Sequence, residues 1–149
     1  MFHKIAEDYF KLATPPPPNA LGRLFATAAA MLPGPGSAEK PQADGSYRID
    51  LTRNCVYSEM PIAPIKVTDT FSMPGTADLV ETMGGLVVLH DWKTTSAEKW
   101  IPSEADLKAD EQCNLYGMSV MLRFGVEYVR CHWHYFVKDE KNPRNLSRE

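Results

Sequence analysis

Phe2, Ile5, Tyr9 and Leu12 recur at helical spacing, which predicts a short amphipathic helix over residues 2 to 12. Ala13 to Pro18 ends it, because prolines lack the amide donor and favour an extended spacer. Asn19 suits the N-cap of a second helix, Ala20 to Leu32, whose Ala- and Leu-rich, nearly uncharged texture predicts burial. Pro33-Gly34-Pro35-Gly36 cannot continue that helix, so residues 33 to 46 read as a surface loop.

From Tyr47 the pattern changes. Tyr47 to Leu51, Cys55 to Ile65 and Phe71 to Thr82 are rich in β-branched and aromatic residues and read as strands, with Pro61 and Pro64 marking an edge or a bulge in the second. Met83-Gly84-Gly85-Leu86 reads as a tight turn. Leu86 to Thr94 follows as a strand whose run Leu86-Val87-Val88-Leu89 is apolar on both faces, as a central strand requires. Ser103, with Asp106 three residues on, caps a long helix from Glu104 to about Phe124, and Gly125 ends it. Val126 to Val137 reads as a last strand. The polar stretch Lys138 to Glu149 is expected to fray. The order helix, three strands, helix, strand predicts an α/β fold around a mixed sheet. The chain divides into an opening helix and Pro-rich linker (1–18), a main domain (19–137) and a polar tail (138–149).

Composition narrows the class. A chain of 149 residues with 44% apolar and 23% charged residues is one domain's worth and excludes wholesale disorder. The longest largely apolar run, Leu24 to Pro33, is too short to span a bilayer, and no secretory signal pattern is present. A net charge of −3 excludes a polycationic nucleic-acid binder, so any such contact must come from a local patch. The slight acidic excess fits carboxylates gathered around a metal. Cys55, Cys113 and Cys131 are an odd set without close pairing, which points to small buried thiols in a reducing cytoplasm.

If the hairpin turns symmetrically about Gly84-Gly85, opposed residues have numbers summing to 169. Asp78 then falls opposite Asp91 and Thr76 opposite Lys93, side chains about 5 Å apart. Alternation puts Asp78, Asp91 and Lys93 on one face. Two facing carboxylates repel unless a positive charge lies between them, and a hard divalent cation suits that place. The other face carries Ala77, Leu79, Glu81, Val88, His90 and Trp92 and is mostly core. The plainer alternative is a surface hairpin with a solvated Asp78 and an ordinary Asp91–Lys93 ion pair. Gln112 and Tyr116, four apart, share a helix face that either reaches this site or is merely half-buried. His132 and His134 share a strand face with Arg130. They make either a two-His metal pair or a solvent- or DNA-facing surface, and His90 reads as packing against helices.

In chain order these residues stand as Gly75-Thr76-Ala77-Asp78, Asp91-Trp92-Lys93-Thr94 and Gln112-Cys113-Asn114-Leu115-Tyr116. The set resembles the GxxD, DxKT and QxxxY motifs of the RecB-like exonuclease branch of the PD-(D/E)XK nuclease superfamily, over roughly residues 55 to 136. The resemblance implies a restriction-endonuclease-like αβββαβ core, a mixed central sheet flanked by helices. It implies metal-dependent hydrolysis of DNA phosphodiester bonds with Mg²⁺ or Mn²⁺, in an exonuclease or end-processing role. Asp78, Asp91 and the main-chain carbonyl of Trp92 would bind the metal, and Lys93 would position or activate the attacking water. Gln112 and Tyr116 would shape the site and contact the strand. The iron–sulfur variant of the family needs four cysteines, so no cluster is expected here. The implied partner is DNA and not a membrane, with a homo-oligomer or a larger recombination or repair complex, in the cytoplasm and of phage origin. One departure stands out: Leu21 to Ala30 lacks the His or Glu the branch carries on its first core helix, with Ala26 and Ala30 about where they would fall. Glu59, His3 and Glu7 are the candidate substitutes. The alternative function is a non-catalytic DNA-binding or scaffold module that kept the fold.

Overall fold

A five-stranded mixed sheet runs through the computed structural model, which describes residues 2–66, 68–69, 72–138 and 144–149. Strands β1 (Cys55–Lys66), β2 (Ser72–Met83), β3 (Leu86–Thr95), β4 (Arg130–Val137) and β5 (Arg144–Arg148) lie side by side in chain order. β3 and β4 run parallel, and the other neighbours are antiparallel. A parallel pair needs a crossover. Helices α3 (Glu104–Ala109) and α4 (Glu111–Phe124) supply it.

Helices cover both faces of the sheet. On one, Val120 and Phe124 of α4 pack with Tyr57, Met60, Ala77, Val80, Val87, Leu89, Trp133 and Tyr135. On the other, Phe2, Ala6 and Phe10 of α1 (Phe2–Leu12) and Leu24 and Phe25 of α2 (Ala20–Ala26) pack with Leu79, Trp92 and Phe136. Each fully buried phenylalanine contributes about 1.5–3 kcal/mol. The opening helix is therefore part of the core rather than an appendage. Asn19 caps α2 through its Oδ1, which accepts the Gly22 amide at 2.9 Å. Gly22 lies so close to the Pro-rich spacer that a Cβ there would meet the Pro17 carbonyl oxygen at 1.8 Å.

Several expected boundaries move. The second helix stops at Ala26 instead of Leu32, and a 3₁₀ turn follows at Ala29–Met31. The Thr27 hydroxyl donates to the Leu24 carbonyl at 2.7 Å, closing the last turn. The long helix divides at Asp110, whose extended backbone (φ −74, ψ 122) ends α3 while its side chain accepts the Cys113 amide to cap α4. The Ser103–Asp106 capping box and the left-handed Gly125 (φ 65) stand where the sequence puts them. Tyr47 to Leu51 forms no strand: its buried Tyr47 hydroxyl donates to the Ser58 carbonyl, and the Asp50 amide donates to Tyr57 Oη. The last helical crossover leads into β4 at Arg130, not Val126.

The polar tail was expected to fray, yet residues 144–148 form the edge strand β5 against β4. Backbone pairing does not require an apolar pattern at a sheet edge. Phe71, expected to open the strand running to Thr82, and residues 139–143 of the tail lie outside the described residues. Among the described residues, no helix is long and apolar enough to cross a membrane.

Candidate active site

Gly84 and Gly85 both adopt positive φ (56° and 88°), the backbone of a type I′ turn that matches the twist of a hairpin. The register then runs Met83↔Leu86 through Leu79↔His90, each pair summing to 169. The paired ladder stops there, one step short of Asp78 and Asp91. At that level the Asp78 carboxylate stands in for a strand carbonyl: its Oδ2 accepts the Trp92 amide at 2.7 Å.

The neighbouring strand is irregular at the same level. Ser58↔Leu79 and Met60↔Ala77 flank an unpaired Glu59 with a positive φ of 51°. Tyr57 and Met60 both face the α4-side core, as do Val80 and Ala77 opposite them, while Leu79 faces the α1 side. Simple alternation, which put Asp78 on the face of Asp91 and Lys93, therefore does not carry through Glu59 and Asp78. The contacts of Asp78 fix its position instead: Oδ2 on the Trp92 amide and Oδ1 3.1 Å from His3 Nδ1 of α1.

His3, Glu59 and Asp78 come together here with one ligand atom each inside a span of 4.8 Å. Glu59 Oε1 is shielded from solvent without a hydrogen-bond partner and lies 4.0 Å from His3 Nδ1. Asp91 is 7% exposed, and its Oδ2 lies 2.9 Å from Lys93 Nζ. Burial, reinforced by the Asp91 charge, pushes Asp78 up to about 7. Burial and the Asp78 charge raise Glu59 as well. Burial alone would lower Lys93, but Asp91 and Asp78 outweigh it and hold the ammonium above its usual value. Tyr116 of α4 is raised by burial and then by Asp91 and Asp78, so its phenol stays protonated beside the cluster.

The remaining expected residues fall as follows. Gln112 is exposed on the turn of α4 before Tyr116. The Trp92 ring is buried, as expected, tilted against His134 with centroids 5.1 Å apart. Ala26 is exposed on α2. Glu7 is drawn off into pairs with Lys4 and Lys11 at 3.2 and 3.1 Å. Cys55, Cys113 and Cys131 are free thiols, and burial pushes Cys113 to about 12 and Cys131 to about 11.

Buried carboxylates crowded together form a donor set suited to a hard cation. Glu59 and Asp78 supply oxygen and His3 supplies a nitrogen within the 4.8 Å span, whereas Asp91, the other expected ligand, stands outside it and pairs with Lys93 at 2.9 Å. Sequence reasoning weighed His132 and His134 as a metal pair but assigned His90 to packing against helices; the structure brings His90 to the other two, with one nitrogen from each within 4.8 Å. The signal was available only through the β3–β4 register, which pairs His90 with His132.

No family model matches the chain, and no curated protein matches it. Among solved structures it is similar to the crystal structure of SSO0001, at 17% identity and a TM-score of 0.40, covering 62% of this chain and 41% of that one. The chain thus spans less than half the length of that protein, and a likeness of this degree carries no functional argument.

Proposed function

We propose that the chain is a metal-dependent deoxyribonuclease with a restriction-endonuclease-like αβββαβ core, cutting phosphodiester bonds in an exonuclease or end-processing role. One observation supports this above the others: Asp78, buried beside Asp91 and Glu59 where the sheet ladder opens, is held up to about 7. Lys93 offsets this crowding only in part, and a divalent cation would supply the rest of the counter-charge.

Asp78, Asp91 and the Trp92 main-chain carbonyl would hold Mg²⁺ or Mn²⁺, with Glu59 and His3 taking the place of the missing first-helix ligand. When bound, such a cation polarises a phosphate and lowers the pKa of a coordinated water. Lys93, kept charged by its acidic neighbours, stabilises charge developing on phosphate oxygens. The protonated Tyr116 phenol donates a hydrogen bond to the strand, and Gln112 extends that contact from the exposed turn of α4. A homo-oligomer or a larger recombination or repair complex supplies the rest of the grip on DNA.

Incubating labelled single- and double-stranded DNA with the chain and Mg²⁺ or Mn²⁺ tests the reading. Cleavage is expected for the wild type and a loss of about a hundredfold or more for Asp91→Ala. Binding without cleavage under every condition replaces the reading with a non-catalytic DNA-binding scaffold, and neither binding nor cleavage removes both.

A further inference from the structure

We propose that His90, His132 and His134 form a second metal site, which takes a borderline transition-metal ion of the Zn²⁺ class. His132 and His134 alternate along β4 and so share a face. The parallel register sets His90 of β3 directly beside His132. Three imidazoles from two adjacent strands thus converge, with one nitrogen from each inside 4.8 Å. His90 Nδ1 and His134 Nε2 are 2.9 Å apart. A tetrahedral ion with bonds of about 2.0–2.1 Å holds neighbouring nitrogens about 3.3 Å apart, so these two need to separate by only about 0.4 Å.

The surroundings suit a ligand set better than a set of core side chains. Glu81 Oε1 lies 2.6 Å from His90 Nε2. That places a carboxylate beside the far nitrogen, the position from which an acid supports a metal-ligating histidine, while Nδ1, now hydrogen-bonded to His134 Nε2, would exchange that bond for the metal. His90 and His134 are buried, at 4% and 2% exposure, and so are rigidly held. The His132 side chain keeps 29% of its surface exposed and gives an ion a way in. Glu149 Oε2 stands 3.4 Å from the shielded His132 Nε2, its other oxygen held by Arg130 Nε at 2.8 Å, so the chain carries a carboxylate at the place of a fourth ligand. The imidazole-rich donor set selects Zn²⁺, Co²⁺, Ni²⁺ or Cu²⁺ over Mg²⁺. The ion would tie β3 to β4, the parallel pair at the centre of the sheet.

The site is independent of the nuclease reading, and Co²⁺ is a direct probe of it. Titrated into the full chain with excess Mg²⁺ present, Co²⁺ is expected to bind one per chain with the visible absorption of a tetrahedral nitrogen-bound ion. Zn²⁺ should displace it. His132→Gln should weaken binding by at least about tenfold, and His3→Gln should leave it unchanged. X-ray absorption on the wild-type Zn²⁺ form needs no variant, and it should show three imidazoles at about 2.0–2.1 Å. A wild type that binds no Co²⁺, an affinity untouched by His132→Gln or lost in His3→Gln, or an all-oxygen shell around Zn²⁺ overturns the proposal.

Discussion

The Trp92 amide donates to Asp78 Oδ2 across 2.7 Å at the step where the β2–β3 ladder ends. A side-chain carboxylate thereby completes the backbone pairing of β3 and fastens Asp78 beside Asp91. One group serves both the fold and the proposed chemistry, and substitutions can separate the two roles.

At about pH 5, where the raised Asp78 does not yet carry its buried charge, Asp78→Ala should leave the Trp92 amide without its acceptor and cost about 1–3 kcal/mol of stability. Asp78→Asn keeps an acceptor oxygen and should retain most of that stability while losing metal-dependent cleavage as completely as Ala does. Denaturant melts of both variants beside a cleavage assay separate the effects. Equal melting midpoints for Ala and wild type would show that the hydrogen bond contributes nothing.

The raised Asp78 sets the direction of the pH dependence in metal-free protein. Its ordinary value is 3.8, and burial with the Asp91 charge holds it up to about 7. Between those values the folded chain keeps a proton the unfolded chain has released, so stability is greatest near the lower value and falls as pH rises through the upper one. The full difference corresponds to at most about 4 kcal/mol. With EDTA present, the wild-type Tm should fall from pH 5 to pH 8 more steeply than that of Asp78→Asn, and Mg²⁺ should flatten the difference. Parallel curves for the two proteins would remove Asp78 as the titrating group.

Much of this site was legible because its rules are local. Two adjacent glycines demand a turn, and the turn fixes a register that holds from Met83↔Leu86 to Leu79↔His90. What was not legible is where that regularity breaks. A positive φ at Glu59 is unusual for a non-glycine residue, and no residue type announces it, yet it shifts the alternation and turns Glu59 toward Asp78 and His3. The division of the long helix had a signal, since Asp110 is a good N-cap, but the apolar spacing on either side read as continuous. The histidine cluster depends on which strands are neighbours, and that is decided by the crossover rather than by residues near His90. The β5 pairing rests on backbone groups, to which a polar pattern gives no clue.

Gly22→Ala should be one of the most damaging single-methyl additions in the chain. The new Cβ would meet the Pro17 carbonyl oxygen at 1.8 Å, and neither the spacer nor the capped start of α2 has a flexible side chain that could yield. Displacing α2 disturbs Leu24 and Phe25, both buried against α1 and the sheet. A loss of about 1–3 kcal/mol or more is expected. A thermal melt within a degree of wild type would mean the spacer moves freely against the helix.

His3 offers the sharpest test of how the proposed metal site is completed, because its side chain is 54% exposed and its removal leaves the core untouched. His3→Ala takes away the nitrogen 3.1 Å from Asp78 Oδ1 without altering Asp91 or Lys93. If His3 and Glu59 stand in for the absent first-helix ligand, His3→Ala should bind Mn²⁺ about tenfold or more weakly, and His3→Ala with Glu59→Gln weaker still. Saturating Mn²⁺ should then recover part of the cleavage rate in His3→Ala but none in Asp91→Ala. Calorimetric Mn²⁺ titration alongside cleavage at several Mn²⁺ concentrations reads both effects. An unchanged Mn²⁺ affinity in the double variant would confine the site to Asp78, Asp91 and the Trp92 carbonyl and leave His3 as a surface partner of Asp78.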